Sequence, residues 1–280
     1  MNSIAAFIDG SSYAASVCDH AVWAAGRLSA PVTLIHALGR AENSSAPADL
    51  SGNLRIGARR ALLDKLAKLD AERAALAVER GRALLDDASA RIRAAGDIDV
   101  TVRLRRGGPV EALEEIMATV GLAIVGKRGE NASGAMEHLG SNLERLVRIA
   151  SCPVLVANRA FHPVTRVLVA FDGGPSSVRA VDRMADSPLL DGAEAHLLTA
   201  GGDAAVLRAP AERLRAAGYA VHEHRADGTP EEAIAAAVRT REIGLLVLGK
   251  SGHSRLRQMF IGSTTLELLR SCQVPVLIVP

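Results

Sequence analysis

Aromatic residues are scarce in this 280-residue chain, at 2% of the composition, whereas hydrophobic residues as a whole reach 49%. The cores must therefore be built from aliphatic side chains. Cysteine is scarce too, since only Cys18, Cys152 and Cys272 occur. Their wide spacing fits neither a disulfide framework nor a metal-binding motif. We therefore expect reduced, partly buried thiols.

Strong charge and long apolar runs are also missing. The formal net charge is +2, too near neutral to indicate a surface for nucleic acid or anionic lipid. No stretch approaches the roughly 18 to 20 apolar residues of a membrane span. The N-terminus has no basic region ahead of an apolar one. We expect a cytoplasmic protein with neither a nucleic acid nor a membrane as partner.

The strongest positive signal is an internal repeat. Three segments of the first half return in the second half, and the pairs are GLAIVGKRG (121–129) with GLLVLGKSG (244–252), GSNLERLVR (140–148) with GSTTLELLR (262–270), and CPVLVA (152–157) with VPVLIV (274–279). An earlier pair, IAAFIDGSS (4–12) and VLVAFDGGPSS (167–177), is separated by about 40 residues more than the others. The sequence thus predicts a first domain over 1–160 with a helical insertion around 40–97, and a second domain over 161–280.

Short apolar runs alternate with helical patterns in each copy, which predicts an α/β fold. We expect two tandem Rossmann-like domains, each an open five-stranded parallel sheet of order 3-2-1-4-5 with helices on both faces. One helix has a clear start, because Thr229 can cap it, Pro230 suits its first turn and two glutamates follow.

Ligands of such sheets bind at the carboxyl ends of the strands where the winding direction reverses. In each copy the first strand ends in an aspartate, Asp9 or Asp172, and the fourth strand runs into a glycine loop. In the second copy Gly249 and Gly252 allow close approach of a ligand. Nine residues later, Gly262, Ser263 and Thr264 open a helix whose N-terminus suits a phosphate.

The segment from Gly244 to Ser251 matches the Walker A expression G-x-x-x-x-G-K-[ST] by letter. In a P-loop the four variable positions wrap the phosphate after the strand has ended. Here they are the strand itself, so we interpret the match as accidental.

The spacing G-x2-G-x9-G-[ST] after the fourth strand, with Asp172 at the tip of the first, resembles the ATP-binding branch of the universal stress protein family in its tandem form. The resemblance implies that ATP, alone or with Mg²⁺, is the ligand, that the aspartate lies near adenine and ribose, and that the glycine loops hold the phosphates. It also implies a backbone contact to adenine at Ala200, and at Ala37 in the first copy.

In the first copy the corresponding residues are Asp9, Gly126, Gly129, Gly140 and Ser141. Ten residues rather than nine separate Gly129 from Gly140, and this stretch holds Glu130 and Glu137. Carboxylates near a triphosphate are repulsive, so we expect unequal sites with binding chiefly in the second domain.

Three functions remain open at this point. The chain is expected to be a nucleotide-responsive regulator of a stress response, with at most slow ATP hydrolysis and no catalytic residues. The alternatives are a scaffold or partner-binding module without nucleotide, and a weak ATPase or autophosphorylating protein.

The last strand of each copy is apolar and would lie at a sheet edge, where unpaired backbone groups favour aggregation unless they are covered. Family resemblance implies dimerisation through this strand, so we predict that 153–157 and 275–279 pair antiparallel as an intramolecular pseudo-dimer. The insertion helix, 59–96, is either an amphipathic surface helix or an arm that joins two chains into a homodimer. Its removal is expected to alter only the oligomeric state.

His222 and His224 share one face of a probable strand. Because two imidazoles without a third ligand make a poor metal site, we interpret them as exposed strand residues and predict no metal held by protein side chains. His36, at the end of a strand, is interpreted as a packed histidine.

Overall fold

The fold is that of a computed structural model, which describes residues 3–39, 56–130, 141–250 and 262–280; the side chains of 56–61 and of Ser141 are outside this description. The elements of the first half are β1 (Ser3–Phe7), α1 (Ala14–Leu28), β2 (Val32–Leu38), α2 (Ile56–Ala95), β3 (Val100–Arg106), α3 (Pro109–Ile116), β4 (Val120–Gly126), α4 (Ser141–Ile149) and β5 (Val154–Ala157). Those of the second half are β6 (Arg166–Ala170), α5 (Pro175–Ala185), β7 (Glu194–Ala200), α6 (Arg208–Ala216), β8 (Val221–Ala226), α7 (Pro230–Thr240), β9 (Leu245–Gly249), α8 (Ser263–Ser271) and β10 (Val276–Val279).

The strands form one sheet in the order β3-β2-β1-β4-β5-β10-β9-β6-β7-β8. Within each half all pairs are parallel and the order is 3-2-1-4-5, as the sequence predicts. The expected antiparallel pairing of the two last strands is confirmed, with Leu277 opposite Leu155. The pseudo-dimer is therefore joined by backbone hydrogen bonds at the centre of a continuous sheet.

Each face of the sheet carries a hydrophobic core that crosses this junction. On one face Leu155 and Leu277 belong to the cluster covered by α1, α2, α5 and α6. On the other face Val156 and Ile278 belong to the cluster covered by α3, α4, α7 and α8. Because successive strand residues point to opposite faces, β5 and β10 contribute to both cores. All three cysteines are buried and free, as expected.

The predicted start of α7 is confirmed. The Thr229 hydroxyl accepts a hydrogen bond from the Glu232 amide at 3.3 Å, and Pro230 occupies the first turn. None of the helices among the described residues is long and apolar enough to cross a membrane.

The insertion forms α2, a helix of 40 residues that extends about 60 Å at 1.5 Å per residue. Leu85, Ala88 and Ile92 follow helical spacing and are buried in the first core. None of the described side chains from 62 to 80 is buried. The expectation that 59–96 can be removed without affecting the fold is wrong, because the C-terminal part of α2 supplies core residues.

Candidate functional site

The topology places the expected site residues at one edge of the sheet. Asp9 follows β1 and Asp172 follows β6, and these strands pair with β4 and β9, which end at Gly126 and Gly249. In each half the aspartate and the start of the glycine loop therefore lie at the carboxyl ends of adjacent strands, where open α/β sheets bind ligands.

In the second half, local hydrogen bonds fix the Asp172 carboxylate. Its Oδ1 accepts from the Gly174 amide at 2.8 Å and lies 2.7 Å from the Ser177 hydroxyl, at the first turn of α5. Asp172 is nevertheless solvent-exposed. The arrangement thus presents an oriented carboxylate at the mouth of the crevice, where it can accept hydrogen bonds from hydroxyl or amino groups.

The helix that begins after the second glycine loop is α8. Gly262 is its N-cap residue, with φ −62° and ψ 148°, and among the described residues no side chain caps the helix there. Ser263 is exposed and Thr264 is half-buried. The first amide groups of an α-helix lack intrahelical acceptors and attract anions, so this end of α8 can bind a phosphate. Gly252 lies outside the described residues.

Gly249 and Gly126 have a packing role that the sequence interpretation missed. A Cβ at Gly249 would lie 2.5 Å from the backbone carbon of Ser176, and one at Gly126 would lie 2.8 Å from the Cβ of Tyr13. Each glycine therefore lets the end of the fourth strand contact the beginning of the first helix of its half. This contact keeps the glycine loop close to the strand that carries the aspartate.

The corresponding crevice of the first half is bridged by protein groups. The Asp9 carboxylate accepts from the Ser11 amide at 3.0 Å and from the Glu130 amide at 3.2 Å. The Glu130 carboxylate in turn accepts from the Gly10 amide at 3.2 Å and forms an ion pair with Arg80 of α2. The Glu130 side chain, paired with Arg80, thus lies beside Asp9 at the edge of this crevice.

Asp9 and Gly129 do come together in this half, because a Cβ at Gly129 would lie 3.2 Å from the Asp9 carboxylate. Gly140 lies outside the described residues, and Ser141 is the first residue of α4. The participation of Arg80 was not predicted, since the residue belongs to the insertion and lies 50 positions from Glu130. No signal in the sequence links the two.

Ala200 and Ala37 lie at or next to the C-terminal ends of β7 and β2, half-buried, with their strands paired to β6 and β1 respectively. Next to Ala37, the buried His36 ring holds the Ile8 carbonyl through Nδ1 at 2.7 Å. His36 is therefore a packed histidine, as interpreted from the sequence. A Cβ at Gly81 would lie 2.7 Å from this ring, so glycine allows α2 to cross closely over the end of β2.

The lysine of each glycine loop points into the other half. The Lys250 ammonium group donates to the Ala150 carbonyl at 2.9 Å, and that of Lys127 donates to the Cys272 carbonyl at 2.5 Å. Both carbonyls lie just after the C-terminal ends of helices, where the helix dipole favours a positive charge. Burial lowers the pKa of both lysines. These contacts support the interpretation of the Walker A match as accidental, since the Lys250 ammonium group is buried against a carbonyl of the first half.

These features define a class of protein, namely a tandem pair of doubly wound α/β units. Each unit has a crevice between the carboxyl ends of its first and fourth strands. The family model described as the universal stress protein family matches residues 1–158 and 200–280. A curated relative, the universal stress protein Slr1230 of Synechocystis sp., is 33% identical over 99% of this chain and 99% of its own length. The chain belongs to the universal stress protein family.

Solved structures agree with this assignment at the level of the fold. A universal stress protein from Archaeoglobus fulgidus has a TM-score of 0.74 at 21% identity and covers 99% of this chain and 98% of its own. A universal stress protein from Pseudomonas aeruginosa has a TM-score of 0.61 at 18% identity and covers 100% of this chain and 93% of its own.

Proposed function

We propose that this protein binds one adenine nucleotide, ATP alone or with Mg²⁺, in the crevice of its second half and acts as a nucleotide-responsive regulator. The observation that carries the proposal is the contrast between the two aspartates. Asp172 is oriented and exposed, whereas Asp9 is half-buried and accepts a hydrogen bond from the amide of Glu130, whose carboxylate pairs with Arg80. Among the described residues, the aspartate of the second crevice is thus exposed, whereas the first crevice is bridged by its own side chains.

The proposed contacts follow from the chemistry of each group. Asp172 accepts hydrogen bonds from the ribose hydroxyls, the backbone at Ala200 contacts adenine, and the amide groups at the start of α8 bind the phosphates. The residues that surround the phosphates in this proposal are Gly249, Gly252, Gly262, Ser263 and Thr264. The residues of the first half, which are Asp9, Ala37, Gly126, Gly129, Gly140 and Ser141, bind nucleotide more weakly or not at all.

Replacing Gly262 with aspartate tests the phosphate position. The φ angle of −62° is accessible to any residue, and aspartate and asparagine both cap helices well. Gly262→Asn is therefore a matched control of the same size without charge. A carboxylate about 4 Å from a phosphate costs on the order of 1 to 4 kcal/mol, depending on the effective dielectric constant.

Calorimetry with ATP, in the presence and absence of Mg²⁺, should give nearly one site per chain for the natural protein and for Gly262→Asn. Gly262→Asp should weaken binding at least about fivefold at unchanged thermal stability. Two equal, tight sites per chain would contradict the asymmetry. No binding of any adenine nucleotide would favour the scaffold alternative, and turnover lost in Asp172→Ala would favour slow hydrolysis.

A further inference from the structure

Three histidines and a glutamate gather on one face of the sheet near its second-half edge, remote in sequence from the glycine loops. Glu194 and His196 belong to β7, and His222 and His224 belong to β8. His196 lies opposite His222 in the register, and His224 lies opposite the residue two positions further along β7. Residues two apart share a face of a strand, so all four side chains project to the same side.

The His196 ring lies between the other two imidazoles. Its centroid is 4.9 Å from that of His222 and 5.2 Å from that of His224, with interplanar angles of 25° and 15°. Its Nδ1 is 3.0 Å from Nε2 of His224. This hydrogen bond fixes the ring orientation and, when His196 is the donor, leaves Nε2 with its lone pair.

Nε2 of His196 is the unusual atom of the cluster. The residue is only 7% exposed, and among the described residues this nitrogen has no hydrogen-bond partner. A carboxylate oxygen of Glu194 lies 3.9 Å away, beyond hydrogen-bond distance. Buried polar atoms are normally satisfied, so an unsatisfied ring nitrogen beside a carboxylate is a candidate position for a ligand.

We propose that Glu194, His196 and His222 bind a divalent transition-metal ion of the Zn²⁺ type. One donor atom from each of the three residues can be chosen so that all lie within 4.8 Å of one another. Tetrahedral zinc with bonds of about 2.0 to 2.1 Å places its ligands about 3.3 Å apart. Glu194 and His222 are exposed, so their side chains can close the remaining distance around the less mobile His196.

The charges around the cluster are compatible with a cation. Arg166 is paired with Glu194 at 3.3 Å and with Glu242 at 2.6 Å. Arg241 also acts electrostatically on His196 and His224, so two guanidinium groups and two carboxylates balance around the cluster. A mixed nitrogen and oxygen donor set suits Zn²⁺ and its neighbours, and an open fourth position would hold water.

His224 would complete the site without binding the ion, since metal-bound histidines commonly hold their second ring nitrogen through a hydrogen bond. The metal would join β7 to β8, the outermost strand of the second half. The expected role is therefore to fasten the sheet edge, independently of the nucleotide proposed above.

Titration of tag-free, chelator-treated protein with Zn²⁺, in competition with a chromophoric chelator, tests the site. One ion should bind per chain, and His222→Ala and Glu194→Gln should each weaken binding at least about tenfold. Both residues are exposed, so the variants should fold. His162→Ala, which removes an exposed histidine elsewhere, is the matched control and should bind as the natural protein does.

Asp172→Ala should bind Zn²⁺ unchanged, which separates this site from the nucleotide crevice. Co²⁺ should show absorption of a nitrogen and oxygen site without thiolate bands. The proposal is overturned if no saturable binding occurs up to about 100 µM Zn²⁺, a weak limit corresponding to about 5.5 kcal/mol. It is overturned equally if His222→Ala binds as tightly as His162→Ala.

Discussion

Replacing Lys250 with methionine tests whether this lysine stabilises the packing of the two halves or binds phosphate, as the Walker A match would suggest. Methionine keeps most of the unbranched stem and removes the ammonium group. In the structure this group donates to the Ala150 carbonyl at 2.9 Å, and Lys250 is 8% exposed. We therefore expect a loss of stability with no loss of nucleotide affinity.

The magnitude follows from two opposing terms. A hydrogen bond to a charged group contributes about 1.5 to 3 kcal/mol, and its removal leaves a buried carbonyl unsatisfied. Against this, methionine avoids the desolvation that lowers the pKa of Lys250. We expect a net loss of about 1 to 2 kcal/mol, which corresponds to about 2 to 8 °C in Tm at 2 to 4 °C per kcal/mol.

Urea denaturation and differential scanning fluorimetry measure the stability, and calorimetry with ATP measures the affinity. Lys127→Met is the matched variant in the other half and should be destabilised by a similar amount, since Lys127 makes the corresponding contact with the Cys272 carbonyl. A stable Lys250→Met protein that no longer binds ATP would refute this reasoning and restore the P-loop interpretation.

Three further outcomes are expected. Leu277→Lys should lower the free energy of unfolding by more than about 2 kcal/mol and increase dye binding to apolar surface, because Leu277 is 4% exposed at the strand junction. Val178→Lys, at a residue 43% exposed, is the control and should leave the stability unchanged. Equal effects of the two substitutions would argue against a stabilising role of the junction. If α2 joins two chains, replacing both Leu69 and Leu76 with glutamate should convert a dimer to a monomer in light scattering. These side chains are 49% and 64% exposed and are available for such a contact. An unchanged molar mass would show that this part of α2 is not the dimer interface. Burial raises the pKa of Cys18 to about 11. The thiolate forms as pH rises towards that value, so it should be about 0.1% of this cysteine at pH 8. Rapid labelling of Cys18 by a thiol reagent in native protein would contradict this, whereas all three cysteines should react in urea.

The architecture could be predicted because it depends on local patterns that occur twice. The repeats indicated two copies, and the alternation of strands and helices within each copy predicted a doubly wound sheet. The apolar strands ending at Ala157 and Val279 needed cover, and the family resemblance implied that they pair. The core role of α2 was missed because its pattern alone does not show which turns contact the sheet. Only the burial of Leu85 and Ile92 against that sheet shows that the C-terminal part of α2 belongs to the core.

The candidate sites were less accessible from sequence because they depend on contacts between distant segments. Glu130 was noticed as a negative charge near the first crevice, but its partner Arg80 comes from the insertion. His222 was set aside for want of a third ligand, and the register of β7 and β8 brings His196 opposite it. Counting histidines on strands predicted to be neighbours would have suggested this cluster.

The junction between β5 and β10 has a consequence for how the two halves can change over evolution. In a dimer of identical subunits every substitution appears twice, so both sites gain or lose a ligand together. Here each half has its own part of the sequence and can change independently, while the strand pairing holds the two halves at a fixed geometry. Glu130 and Arg80 can therefore bridge one crevice while Asp172 remains exposed in the other. Covalent linkage also makes this assembly independent of protein concentration, so the asymmetric pair persists at any dilution.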